Sequence, residues 1–320
     1  MSWFNFHFHD FAFSFLSVLF EGLPFLLVGS LLSGLVDVFV PADRLSRWLP
    51  KSTGASIFAG GLLGLVLPMC ECGSVVVIRR FIKKGLPVSC AVAYMLGAPI
   101  VSPIVIISTF AAFKGQNPML MTSLRVGIGF LIAVAVGFIV RQIRLEKLLQ
   151  PKILNDLPER RRGGLRISSD ETATQDFAAL ATGASMPRKL LMSVQSATSD
   201  FLDVAFFFVI GTAITSVFNT AISQSVMDPL AVNPTLAIPA MMALAAALAL
   251  CSSTDAFIAA TFTTFPFAAK LAFLLFGPVM DLKLIWLYGL VFRRRFVVLL
   301  AAGLFISIAF ICWRIAALNL

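Results

Sequence analysis

Ten apolar segments separated by short polar turns run along the 320-residue chain: 11–40, 55–69, 75–82, 87–113, 119–140, 201–222, 235–250, 256–265, 267–292 and 296–317. A helix rises 1.5 Å per residue, so about 20 apolar residues cross the roughly 30 Å hydrocarbon core of a bilayer. Four segments fall short of that. Segments 55–69 and 75–82 flank CECG at 70–73, and 235–250 and 256–265 flank CSSTD at 251–255. Some 15 helical residues reach only about 22 Å, so each pair predicts a helical hairpin that enters and leaves the membrane on one side. The pattern predicts an all-α integral membrane protein with two repeats, each of three transmembrane helices and one re-entrant hairpin.

Charge placement orients these elements. With the first hairpin opening to the cytoplasm, twenty of the 25 Lys and Arg fall in inside segments: at 44–51, in RRFIKK at 79–84, between 141 and 189, and in RRR at 293–295. The outside segments 224–234 and 252–266 hold none, the asymmetry expected of the positive-inside rule. Three crossings per half is an odd number, which inverts the second half. An ungapped offset of 179 residues sets Cys72 on Cys251, Ser74 on Ser253, Pro87 on Pro266, Leu96 on Leu275, Pro99 on Pro278 and Ser102 on Asp281. An offset of 182 sets Glu21 on Asp203 and Gly29 on Gly211. The expected division is a first membrane repeat at 1–140, a basic, cytoplasmic and largely disordered linker at 141–200, and an inverted second repeat at 201–320. Inverted repeats with interrupted helices point to a substrate site near the midplane, reached alternately from each side.

Composition narrows the classes further. Hydrophobic residues make up 59% of the chain and charged residues 13%, against about a quarter charged in a soluble domain. The net charge of +9 sits in loops beside apolar spans, and no nucleic-acid partner is expected. Five cysteines scattered through apolar segments do not form a secreted disulfide framework and are read as free thiols. HFHD at 7–10 is read as incidental to the membrane interface. There is no GxxxxGK[ST], no HExxH and no soluble catalytic domain, so neither an enzyme nor a cofactor is expected. The expected partners are the bilayer and a small-molecule or ion substrate, and a homo-oligomer is compatible with the chain.

The chemistry concentrates where the helices break. Cys70 and Cys72 would point to roughly opposite sides of a continuous helix, so both face one site only if the backbone unwinds, and Pro68 and Gly73 favour that break. Unwound backbone at membrane depth frees amides and carbonyls for a solute. Thiolates suit soft partners, cuprous and other thiophilic ions among them and, by ordinary inorganic chemistry, trivalent arsenic; the competing reading is a pair of small buried packing residues. The candidate substrate-binding set is Cys70, Glu71, Cys72, Gly73 and Ser74 with Cys251, Ser252, Ser253 and Thr254. Pro99, Ser102, Pro103, Pro278 and Asp281 mark helix breaks, with Ser102 and Asp281 as oxygen ligands. Carboxyls within apolar spans are functional candidates because an ionised group there costs about 2.5–3.5 kcal/mol. Glu21, Glu71, Asp203, Asp255 and Asp281 are therefore the candidates for proton coupling. Arg125 and Lys283 either snorkel or pair with such acids.

CECGSVVVIRRFIKKGLPVSCAVAYMLGAPIVSPI at 70–104 resembles the signature of the predicted permease family that includes the methylarsenite efflux permeases: a C-x-C motif, a basic turn, a Gly-rich stretch and a helix ending near P-x-x-x-P. In that resemblance the family's motif cysteines fall on Cys70 and Cys72 and its helix break on Pro99 to Pro103. Ser102 stands where many members carry Asn, and Glu71 where small or hydroxyl residues are common. The resemblance implies a secondary permease of the bacterial inner membrane, multi-pass, with export favoured. The expected function is translocation of a small thiophilic or anionic solute, trivalent organoarsenicals included. Uptake of a sulfur-containing anion and a membrane-embedded thiol redox enzyme are the alternatives; C-x-C is not the C-x-x-C usual in thiol–disulfide exchange.

Overall fold

The computed structural model describes residues 8–39, 52–67, 69–83, 85–155, 186–221 and 234–318. His7, Pro68, Lys84 and the centre of the expected linker, 156–185, lie outside them. The described residues are helical, and their only β-type pairing is an isolated bridge between Leu149 and Phe292. In chain order the helices are α1 Phe8–Phe39, α2 Thr53–Val66, α3 Glu71–Lys83, α4 Val88–Val101, α5 Pro103–Ala112, α6 Pro118–Arg141, α7 Leu145–Leu148, α8 Pro151–Asn155, α9 Met186–Ala221, α10 Pro234–Leu248, α11 Asp255–Thr261, α12 Phe267–Phe276, α13 Leu282–Tyr288 and α14 Arg294–Ala317.

Among the described residues, five stretches are long and apolar enough to cross a membrane: His9–Leu35, Val88–Ala112, Pro118–Arg141, Met186–Val217 and Arg294–Ala317. Large apolar side chains such as Phe20, Ile107, Leu131, Phe206 and Leu299 point outward from them, as a lipid solvent requires. The sixth crossing expected, 267–292, is divided into α12 and α13 by the turn at Gly277 to Asp281. Helix α9 starts at Met186, inside the stretch assigned to the linker, and its 36 residues run about 54 Å, well beyond one bilayer core.

Small residues set the packing. A Cβ on Gly60 would lie 2.6 Å from the Cys90 carbonyl, and one on Gly64 2.6 Å from Cα of Ala98, so α2 and α4 run parallel with backbones nearly touching. The last turn of α2 therefore ends level with the α4–α5 break. In the second half Gly277 faces Ala245 more loosely, since a Cβ on it would lie 3.4 Å from the Ala245 methyl. The packing of α2 on α4 and α6 recurs as α10 on α12 and α14. Between the halves, α3 packs on α13 and α5 on α11, which brings the inner ends of both short-helix pairs to the other half's broken helix.

Helices α1 and α9 join the halves most extensively, and they run antiparallel: Gly22 meets Phe208, Ser33 meets Asp200, and Gly34 meets Ser193 and Ala197. At one end of the bundle, Arg80 is paired with Asp200 at 2.8 Å and Arg79 with Asp203 at 2.9 Å. The Arg293 N–H donates to the Leu148 carbonyl and the Gln150 N–H to the Val291 carbonyl, fastening the start of the linker segment to the α13–α14 turn.

The closest α1–α9 approach predicts that Gly34→Val, whose side chain would run into the Ser193 carbonyl, destabilises the protein by at least the ~1–3 kcal/mol of an overpacked core. Gly303→Val, with open space around the added methyls, leaves it unchanged. Thermal unfolding of both variants in one detergent measures the difference.

Candidate functional site

The first break is shorter than the sequence suggests. Leu67 caps α2, its N–H donating to Leu63 at 2.8 Å; Met69 and Cys70 are non-helical, and α3 begins at Glu71. Cys70 acts as its cap: its carbonyl accepts the Ser74 N–H at 3.0 Å and its Sγ the Gly73 N–H at 3.4 Å. Cys70 therefore lies in the break while Cys72 lies in the first turn of α3, half-buried and buried respectively. Gly73 does not break the helix. It is helical, and a Cβ on Gly29 would come within 2.8 Å of its Cα, so its role is to let α1 approach. Ser74 is buried, with its hydroxyl donating to the Glu71 carbonyl at 2.8 Å.

The second break spans Ala249 to Thr254. Ala249 takes φ 47°, a left-handed conformation uncommon for a residue with a side chain, and this turns the chain sharply out of α10. The Cys251 carbonyl then accepts the N–H groups of Thr254 at 2.9 Å and Asp255 at 3.0 Å to start α11. The Ser253 hydroxyl donates to Cys251 Sγ at 3.7 Å, and Ser252 is buried.

A polar residue stands at the N-cap after each helix break. Ser102 precedes α5 without a side-chain cap hydrogen bond, with Pro103 at the first turn, and Asp281 caps α13, its Oδ1 accepting the Leu284 N–H at 2.6 Å. Both are buried. Pro278 lies in the second break. Pro99 does not lie in the first: it is inside α4, which continues to Val101, and its missing N–H leaves the Met95 carbonyl without its helical donor.

Buried charges bind these breaks together across the halves. Lys283 on α13 places Nζ 3.2 Å from Glu71 Oε1 and 3.6 Å from Asp281 Oδ2, and donates to the Ala249 carbonyl at 2.8 Å. Arg125 on α6 donates through Nη2 to both oxygens of Asp255, at 3.0 and 2.8 Å, and to the Ser252 carbonyl at 3.1 Å; its Nη1 donates to the Thr109 hydroxyl at 2.7 Å. Lys283 thus touches Glu71 at the first break and the Ala249 carbonyl at the second, so one cation links the two thiol-bearing segments. Of the other expected acids, only the Asp203 side chain is described, and it stands apart. Asp203 is half exposed and paired with Arg79, and the Glu21 side chain lies outside the described residues. The acid that sequence reading missed is Asp200, buried between Ser33 and Arg80; its signal is the spacing of Ser193, Ser196, Ala197 and Asp200, all buried along one face of α9.

Among the described residues no group of three or more His, Cys, Asp or Glu is placed to hold a metal ion, and all five cysteines are free. The arrangement is instead a charged, thiol-bearing junction between broken helices in an apolar shell, which is the build of a multi-pass transport protein. Residues 7–316 match the family described as predicted permease. The chain is 33% identical over 288 residues to the UPF0718 protein YcgR of Bacillus subtilis, covering 89% of this chain and 90% of that one. It is 30% identical over 288 residues to a putative two-component membrane permease complex subunit of Streptococcus mutans, covering 88% and 87%. No solved structure matches it. The chain belongs to the predicted permease family.

Removing one member of a buried pair leaves the other's charge unmatched, at a cost of about 3–5 kcal/mol. Arg125→Met is thus expected to lower thermal stability sharply, and Arg125→Met with Asp255→Asn to recover most of the loss, as read from a double-mutant cycle of unfolding in detergent.

Proposed function

We propose that the protein is a secondary-active permease of the bacterial inner membrane that carries a small thiophilic or anionic solute, trivalent organoarsenicals included and export favoured, through a midplane site between the two hairpin tips. The observation that carries this reading is that each tip's acid is matched by a cation from the opposite half, Glu71 by Lys283 and Asp255 by Arg125. Alternating access needs two bodies joined at the centre by contacts that can exchange, and ion pairs between tip and opposite half are such contacts. Cys70, Cys72 and Cys251 supply soft ligands beside them. Gly73, Ser74, Ser252, Ser253 and Thr254 supply tip amides and hydroxyls, while Ser102 and Asp281 supply oxygens at breaks marked by Pro103 and Pro278, with Pro99 freeing a carbonyl one turn earlier in α4.

The antiparallel α1 and α9, the recurrence of the α2–α4–α6 packing in α10–α12–α14, and a tip level with the α4–α5 break support two inverted repeats with re-entrant hairpins. The contacts of Arg79 with Asp203, Arg80 with Asp200 and Arg293 with Leu148, near the two ends of the expected linker, support its cytoplasmic placement.

Cys70→Ser with Cys72→Ser is expected to abolish uptake of a labelled trivalent methylarsenical by inverted proteoliposomes while the protein retains its native unfolding transition. Retained uptake would remove the thiols from the mechanism. Counterflow of labelled thiosulfate in the same vesicles would favour uptake of a sulfur-containing anion instead, and a Cys70–Cys72 disulfide that forms and breaks with turnover would favour a thiol redox enzyme.

A further inference from the structure

The two buried charge groups differ in balance. Arg125 and Asp255 are one cation and one acid, with both carboxylate oxygens accepting from the guanidinium. Lys283 faces two acids, Glu71 and Asp281, and all three are buried. Its shortest contact, moreover, goes to a neutral acceptor, the Ala249 carbonyl. Glu71 Oε2 and Asp281 Oδ2, both buried, have no hydrogen-bond donor among the described residues. The group is thus short of one positive charge, and each acid has an oxygen without a donor, at a depth where neither deficit is met by water. One proton on the pair restores the charge balance.

We propose that Glu71 and Asp281 form the coupling-proton site of this permease, holding a single proton between them beside Lys283. Its use in transport rests on the permease reading; its occupancy does not. Among the described residues, the surrounding titratable groups offer no alternative source of positive charge. Cys70, Cys72 and Cys251 are thiols, and Tyr288 on α13 is a phenol whose hydroxyl donates to the Val279 carbonyl at 2.9 Å; such groups are neutral or negative only. Asp255 on α11 is matched by Arg125, and Asp200 and Asp203 on α9 are paired with Arg80 and Arg79. Because Lys283 touches Glu71 at one tip and the Ala249 carbonyl at the other, gain or loss of the proton changes how firmly one lysine ties the two tips together.

Infrared difference spectroscopy of the full chain in proteoliposomes, between mildly acidic and mildly alkaline buffer and without substrate, reads the protonated-carboxyl band directly. The wild type is expected to show one carboxyl equivalent, absent in both Glu71→Gln and Asp281→Asn because either leaves one acid for one lysine, and retained in Asp255→Asn. Lys283→Met, which leaves two acids and no cation, is expected to show two. A band that survives in Glu71→Gln and in Asp281→Asn, or that is lost in Asp255→Asn alone, overturns the assignment; should one of the first pair fail to fold, the other decides. A normal band in vesicles that carry no probe solute would sink the permease reading and leave the proton site standing.

Discussion

A buried ion needs a counter-ion, and here the counter-ion comes from the other half of the chain. Glu71 and Asp255 begin helices α3 and α11, where the apolar surroundings give a carboxylate nothing to lean on. Lys283 and Arg125 answer them from helices of the opposite half, and each also takes up a carbonyl that the second break leaves without a helical donor. Apolar packing seats both segments, and these ion pairs tie each one to the opposite half. Contacts of that kind are strong when made and have a definite alternative when broken, because the freed carboxylate or cation can exchange its partner for a proton or a solute.

The outer architecture obeys a different rule. Between helices in lipid there is little hydrophobic driving force, so close backbone approach through Gly and Ala carries the association. Gly60, Gly64 and Gly97 seat α2 against α4, and Gly22, Gly29 and Gly34 seat α1 against α9 and α3. These are rigid, shape-determined contacts. A stiff periphery with an ionic centre lets the centre rearrange while each helix group keeps its own packing.

Length and hydropathy are one-dimensional properties, and what depends on them was legible: the short segments around the two motifs, the interrupted helices that follow, and the correspondence of Ser102 with Asp281, which both stand at the N-cap of the helix after a break. The partners of the buried acids were not. Arg125 and Asp255 lie 130 residues apart, and their meeting depends on α5 packing against α11, which no local spacing encodes. Asp203 reads as an intramembrane acid only until α3 brings Arg79 beside it. The polar stretch 186–200 reads as linker by composition, yet its small residues recur at helical spacing toward α1, and that burial, not its propensity, makes it helix.

The position of Lys283 has a consequence for which substitutions the chain can absorb. A lysine that answers an acid at one break and a carbonyl at the other is tied to both. With Glu71 replaced by a small residue, Lys283 sits with Asp281 alone as a neutral pair. With Asp281 then replaced as well, a buried cation is left without a counter-ion. Lys283 therefore tolerates the loss of one of its acids and not of both.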